Sequence, residues 1–241
     1  MVQIVLIRPG TSEFDEQGRI QGNLDIPLSE QGQREVQTCI EELRPLGMKI
    51  VYSCPCEAAW QTASAIGSGL GIKAKQIEGL ANLDHGLWQG MQLEEVRRKQ
   101  PRVYRQWQES PATVCPPEGE MISDCRERAM AAITKLQKKH KDAIIGVVVP
   151  EPLAGILYCD LSHCQTAEDW KANNRGGAWQ LIGGQSGIKP AATDTALTSN
   201  GQSKADLVDA PRLPQAANGI LAKNGMNSGS ISVAIPLEFR S

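Results

Sequence analysis

Residues 3–32, QIVLIRPGTSEFDEQGRIQGNLDIPLSEQG, decide how this chain folds. Gln3–Arg8 is a short apolar, β-branched run that stops at Pro9-Gly10, the pattern of a buried strand running into a loop. After a polar loop, Ser29-Glu30-Gln31-Gly32 opens a helical pattern lasting to about Leu46. Val36, Ile40 and Leu43 recur at spacings of four and three, which places them on one face, and Gly47 stops the helix. A strand, a loop at its carboxyl end and a helix make one unit of an α/β fold.

The unit repeats outward from there. Lys49–Ser53 reads as a second strand broken by Pro55, followed by a helix from Glu57 to Leu70 that Gly71 ends. Lys73–Glu78 fits a third strand. Residues 93–109 form a charged helical stretch that Pro101 divides in two, and Glu120–Lys139 a long amphipathic helix bearing Ala129, Ala132, Ile133 and Leu136. Ala143–Val149 (AIIGVVV) is the most apolar run and the expected central strand. Pro150-Glu151-Pro152 turns it into a helix to about Leu161, and Ala178–Ile182 fits a last strand. This alternation predicts a three-layer α/β/α fold on a mostly parallel sheet. Ligands of such sheets sit beyond the carboxyl ends of the strands, which directs attention to Arg8–Gln21, Ser53–Ala58, Gly79–Gly90 and Pro150–Pro152.

Composition narrows the class further. With 25 Lys+Arg against 27 Asp+Glu, the net charge of −2 gives no bulk attraction to nucleic acid or an anionic membrane. No apolar run approaches the ~18–20 residues of a membrane span, and the first ten residues read as a strand rather than a signal peptide. Seven cysteines at irregular spacing fit a reducing, cytoplasmic setting. All five Trp, all three Tyr and all seven Cys fall in residues 1–184. The expected organisation is therefore a domain over 1–184 and a disordered linker over 185–229, too poor in apolar residues to offset the entropy of ordering. Residues 230–241 include the apolar ISVAIPLEF, which reads as a short segment docking on a protein partner, as an added strand or as an unstructured end.

The loops at the strand ends carry a family pattern. Arg8-Pro9-Gly10-Thr11-Ser12, then Gly18-Arg19-Ile20-Gln21-Gly22, Asp25, Pro27-Leu28, Glu30 and Gly32 resemble the opening of the histidine phosphatase superfamily, the phosphoglycerate mutase-like proteins. There the pattern is Arg-His-Gly-Glu-Thr, followed by Arg-x-Gln-Gly-x-x-Asp-x-Pro-Leu-x-x-x-Gly. Ser53-Cys54-Pro55-Cys56-Glu57-Ala58 with Gln61-Thr62-Ala63 resembles Ser-Ser-Pro-x-x-Arg-Ala-x-Gln-Thr-Ala. Residues 80–90, LANLDHGLWQG, resemble Leu-x-Glu-x-x-x-Gly-x-Trp-x-Gly, and Pro117-Glu118-Gly119-Glu120 resembles Pro-x-Gly-Glu. Val147–Leu157 stands where the family has Val-Ser-His-Gly. The blocks run in order from residue 2 to about 182.

The resemblance implies a site whose chemistry is altered. A phosphohistidine enzyme needs an imidazole nucleophile, a second His, two Arg for the phosphoryl oxygens and an acid for the leaving oxygen. Arg8 remains. Pro9 stands for the nucleophile, Glu57 for the second Arg, Asn82 for the acid, Glu151 for the second His and Asp15 for an Asn; Gln21 and Gly22 complete the set. No Arg occurs from Met48 to Gln92 and no His from Lys141 to Asp160. Counting Arg8 as +1 and Asp15, Glu57 and Glu151 as −1 each leaves −2 at a place the family keeps positive. At an effective dielectric of 20, unit charges ~4 Å apart interact by roughly 4 kcal/mol, so exchanging Arg for Glu removes that attraction and adds a similar repulsion.

The expected protein is thus a catalytically inactive relative, with an acidic pocket suited to a small molecule, a cation or a basic group, and with neither cofactor nor metal. Arg8 is expected to pair with Glu57 or Glu151. Each residue also has a plainer reading. Pro9 and Pro150 shape loops, and Glu151 in Pro-Glu-Pro suits a helix start. His85 reads as packing and His140 as a solvated helix end. Cys54-x-Cys56, and Cys159 with His163 and Cys164, supply too few ligands for zinc. Two alternatives stand beside the inactive reading: a phosphomonoesterase or mutase with a rearranged site, in which Glu57 and Glu151 form an acid–base pair, and a structural subunit of an assembly.

Overall fold

The computed structural model describes residues 2–163 and 176–183. Its elements in chain order are β1 (Gln3–Ile7), α1 (Glu13–Glu16), α2 (Glu30–Leu43), β2 (Ile50–Ser53), α3 (Glu57–Leu70) and β3 (Lys73–Gln76). There follow α4 (Leu93–Lys99), α5 (Pro101–Glu109), α6 (Ile122–Lys139), β4 (Ile144–Val148), α7 (Leu153–Ser162) and β5 (Trp179–Ile182). The five strands form one sheet in the order β3-β2-β4-β1-β5. All pairs are parallel except β1 with β5, where Ile4 faces Ile182 and Ile7 faces Trp179.

The sequence pattern accounts for these elements. Four of the five residues of β1 and of β4 are buried, as expected for strands covered on both faces. Ser29 caps α2 by accepting a hydrogen bond from the Gly32 N–H at 3.1 Å, and Val36, Cys39, Ile40 and Leu43 form its buried stripe. Gly71 ends α3 at φ 68°, a conformation that favours glycine. Pro101 sits in the first turn of α5 and separates it from α4, as anticipated. Helices α2 and α3 pack together, as do α6 and α7, giving the layers on the sheet. The unanticipated element is α1, a single turn inside the first loop, where Ser12 and Asp15 cap each other reciprocally.

The main core centres on β1, β2 and β4, with Leu6, Ile7, Val51, Ile145 and Val147 fully buried. A second apolar cluster of Ile20, Trp88, Val96, Tyr104, Trp107 and Val114 anchors α4, α5 and the 84–92 turn. It fastens them to the first loop, where Ile20 N–H donates to Met91 O at 2.9 Å and Gly90 N–H donates to Ile20 O at 2.8 Å. None of the described helices is long and apolar enough to cross a membrane. The expectations for 185–229 and 230–241, and for Cys164, fall outside the described residues.

Candidate functional site

Because β1, β2 and β4 are adjacent and parallel, their carboxyl ends bring Arg8, Ser53 and Pro150 to one end of the sheet. Arg8 follows β1 and is buried, its N–H donating to Ala178 O at 2.8 Å. Its guanidinium Nη2 lies 2.8 Å from Oε1 of Glu151. Of the two acids expected to pair with Arg8, Glu151 is the one in contact. The other Glu151 oxygen, Oε2, accepts from the Gly155 N–H at 3.2 Å, in the first turn of α7. Glu151 therefore serves a helix start, as its plainer reading expects, and pairs with Arg8.

Asp15 and Glu57 are held elsewhere. Asp15 Oδ2 accepts from Ser12 N at 2.8 Å and Ser12 Oγ at 2.7 Å, closing the α1 cap. Glu57 begins α3, and its Oε1 accepts from Gln61 Nε2 at 2.8 Å. A carboxylate in the first turn of a helix lies at the positive end of the dipole, which explains both positions locally. The expected trio of converging acids is thus represented at Arg8 by Glu151, with Asp15 and Glu57 engaged in helix starts. Spacing adds a correction: counted back from Gln61-Thr62-Ala63, the family arginine falls on Ala58, which is buried, rather than on Glu57.

Pro9 is buried and its carbonyl accepts from Gly177 N–H at 3.0 Å; its ring offers no lone pair for attack on phosphorus. The loop around it is clamped from two helices. Gly10 N–H donates to Thr62 Oγ1 at 3.1 Å, and Thr11 N–H and Oγ1 donate to Glu35 Oε2 at 2.9 and 2.8 Å. A Cβ on Gly10 would stand 2.4 Å from Gly32 O, and one on Gly32 would stand 2.0 Å from Thr11 O, so this approach requires glycine on both sides.

Asn82 is fully buried and acts as a pin between loops. Its Nδ2 donates to Gly22 O at 3.1 Å and to Glu151 O at 2.9 Å, while Oδ1 accepts from Leu153 N–H at 3.4 Å. A carboxylate here could not donate these two bonds. Gln21 places Oε1 3.2 Å from Ser12 Oγ, and its Nε2 is buried without a hydrogen-bond partner. Gly22 adopts φ +56°, with a Cβ excluded by Gln89.

Sequence reasoning missed Arg128. Its Nη1 donates to Gly79 O and Ala81 O at 3.1 and 2.8 Å, and its Nη2 to Glu120 Oε1 at 2.7 Å. Arg128 thereby fixes the loop that carries Asn82, and Glu120, in the Pro-x-Gly-Glu block, was the available signal. His85 is buried against Trp107, with ring centroids 6.0 Å apart, and desolvation lowers its pKa to about 4. No group of three or more His, Cys, Asp or Glu that could hold a metal occurs among the described residues. A cavity of about 680 Å³ lined by Val2, Ile4, Leu161, His163 and Ile182 lies at the opposite, amino end of β1, away from these loops.

Comparison with known proteins gives a consistent family. The model of the histidine phosphatase superfamily (branch 1) matches residues 4–187. Phosphoserine phosphatase 1 of Hydrogenobacter thermophilus is 29% identical over 182 residues, covering 76% of this chain and 86% of that protein. The bifunctional protein Rv2228c of Mycobacterium tuberculosis is 28% identical over 147 residues, which span 61% of this chain and 40% of that one. Among solved structures, Bacillus stearothermophilus YhfR superposes with a TM-score of 0.70 at 22% identity, covering 78% of this chain and 93% of its own.

Proposed function

Since the chain belongs to the histidine phosphatase superfamily (branch 1) yet presents Pro9, Asn82 and a Glu151-bound Arg8, we propose that it is a binding or regulatory domain without phosphohistidine chemistry. The observation that carries this reading is the Arg8–Glu151 ion pair, with Nη2 and Oε1 2.8 Å apart. A phosphate dianion entering beside Arg8 must displace a carboxylate that is already there. At an effective dielectric of 20 that carboxylate opposes a charge ~4 Å away by roughly 4 kcal/mol. Positive ligands meet the reverse condition. The proposed ligand is an amine, a basic side chain or a cation, with Glu151 as the acceptor beside Arg8 and with Glu57 and Asp15 available only on release from their helix starts. Residues 230–241 would serve as the contact for a protein partner.

Thermal unfolding with a ligand panel tests the reading. Stabilisation by alkylamines, guanidinium compounds or divalent cations supports it. Stabilisation by phosphate and sulfate alone overturns it.

The names of the relatives favour a second reading. A 29%-identical protein called phosphoserine phosphatase 1 is a reason to consider a phosphomonoesterase with a rearranged site, using Glu57 and Glu151 as acid and base. Release of inorganic phosphate from phosphoserine and p-nitrophenyl phosphate, lost on replacing Glu151, would establish it.

A further inference from the structure

The loop between β2 and α3 contains a feature that neither reading uses. Cys54 and Cys56 flank Pro55, and their Sγ atoms are 2.7 Å apart, with the Cys54 thiol donating to Cys56 Sγ. The Cys56 backbone N–H also donates to Cys54 Sγ, at 3.3 Å. A disulfide would bring the sulfurs only ~0.7 Å closer, to ~2.05 Å. The arrangement does not suit a metal, which would have to fit between the two sulfurs.

From this geometry we propose that Cys54 and Cys56 are a redox-active dithiol that hydrogen peroxide closes to an intrachain disulfide. The thiolate of Cys56 attacks one peroxide oxygen and the O–O bond breaks, giving a sulfenic acid and hydroxide, which takes the thiol proton to form water. Cys54 Sγ then attacks the Cys56 sulfur, the S–O bond breaks, and the departing hydroxide takes the Cys54 proton as a second water. Two thiols and one peroxide become one disulfide and two waters.

The division of roles follows from surroundings. Cys56 is the N-cap of the 14-residue α3, and the bond from Cys54, more than offsetting burial, lowers its pKa. That same bond, with burial, raises the pKa of Cys54, which makes it the resolving thiol. Both residues are buried, Cys54 fully and Cys56 at 4% exposure, so an oxidant the size of water reaches them more readily than a protein disulfide. The consequence is transmitted to the Arg8 loop. Helix α3 holds that loop through Thr62 to Gly10 and through Gln61 Oε1, which accepts from Leu28 N–H at 2.9 Å. Altering the cap of α3 alters the segment that positions both contacts.

The test uses the full chain. Tryptic cleavage after Lys49 and Lys73 releases residues 50–73, whose two cysteines are Cys54 and Cys56. The protein is exposed to peroxide, denatured and alkylated with iodoacetamide, and this peptide is weighed. The expected peptide is lighter than the reduced one by two hydrogens, unalkylated, and restored by dithiothreitol. The exposed Cys115 supplies an internal reference. In Cys54→Ser the peptide should instead accumulate sulfinic acid at Cys56. The proposal is overturned if Cys115 oxidises while both cysteines of 50–73 remain fully alkylatable, or if Cys56 overoxidises in the native chain with Cys54 intact.

Discussion

Replacing Glu151 by Gln removes one charge from beside Arg8 with little change in volume. The guanidinium is then left buried, at 7% exposure, without the carboxylate that lies 2.8 Å from Nη2. At an effective dielectric of 20 the attraction at that distance is ~6 kcal/mol before desolvation. Breaking a buried pair by removing one partner commonly costs 3–5 kcal/mol. The Glu151 side chain is 24% exposed, and Gln keeps an acceptor oxygen, which brings the expected loss to ~2–4 kcal/mol. For a domain of this size each kcal/mol moves Tm by ~2–4 °C, so Glu151→Gln should unfold ~4–16 °C lower. Inorganic phosphate supplies the second half of the experiment. With the carboxylate gone an oxyanion can take its place, and phosphate at tenfold its Kd restores ~1.4 kcal/mol to the variant. The native chain should show no such gain. A variant Tm within ~2 °C of native, or equal stabilisation of both by phosphate, refutes the argument.

Further outcomes follow from three individual residues. His85 has a folded pKa of about 4 against 6.5 unfolded, so between those values the unfolded chain binds the extra proton. Stability is complete above pH 6.5 and falls by roughly 3 kcal/mol toward pH 4; denaturant titrations across that range should show His85→Phe flattening the slope. Asn82→Ala strips hydrogen bonds from Gly22 O and Glu151 O and should lower stability by ~1–3 kcal/mol, whereas Asn82→Glu should gain no phosphatase activity. Gly32→Ala forces a Cβ to within 2.0 Å of Thr11 O and should cost more than ~2 kcal/mol in urea unfolding; a neutral effect would show that the Arg8 loop is not clamped as described.

Most strand and helix limits were legible because proline and glycine mark them: Pro9, Pro55 and Pro101 begin or break segments, and Gly47 and Gly71 close them. Helix α1 was hidden because a four-residue turn has no periodicity, although the Ser12–Asp15 cap that creates it is a readable pattern. The antiparallel direction of β5 depends on where the chain re-enters the sheet, which no local signal records. Within the site, residue identities were legible and their partners were not. Asp15 and Glu57 were read as acceptors for a ligand, but helix starts compete for carboxylates and won both. Arg128 went unread, because its carbonyl partners come from a loop 46–49 residues away. The close approach of Cys54 and Cys56 depends on the backbone at Pro55, so their spacing said only that a metal would lack ligands.

In the proposed reading Glu151 holds Arg8 in place of phosphate, and Pro9 leaves no nucleophile. The direct measurement is phosphate release, with acid-quenched trapping of phosphoenzyme, from a panel of phosphomonoesters including phosphoserine, on the native chain and on Arg8→Ala. No trapped phosphoenzyme and no release above background are expected in either protein. Release by the native chain that disappears in Arg8→Ala would contradict this reading.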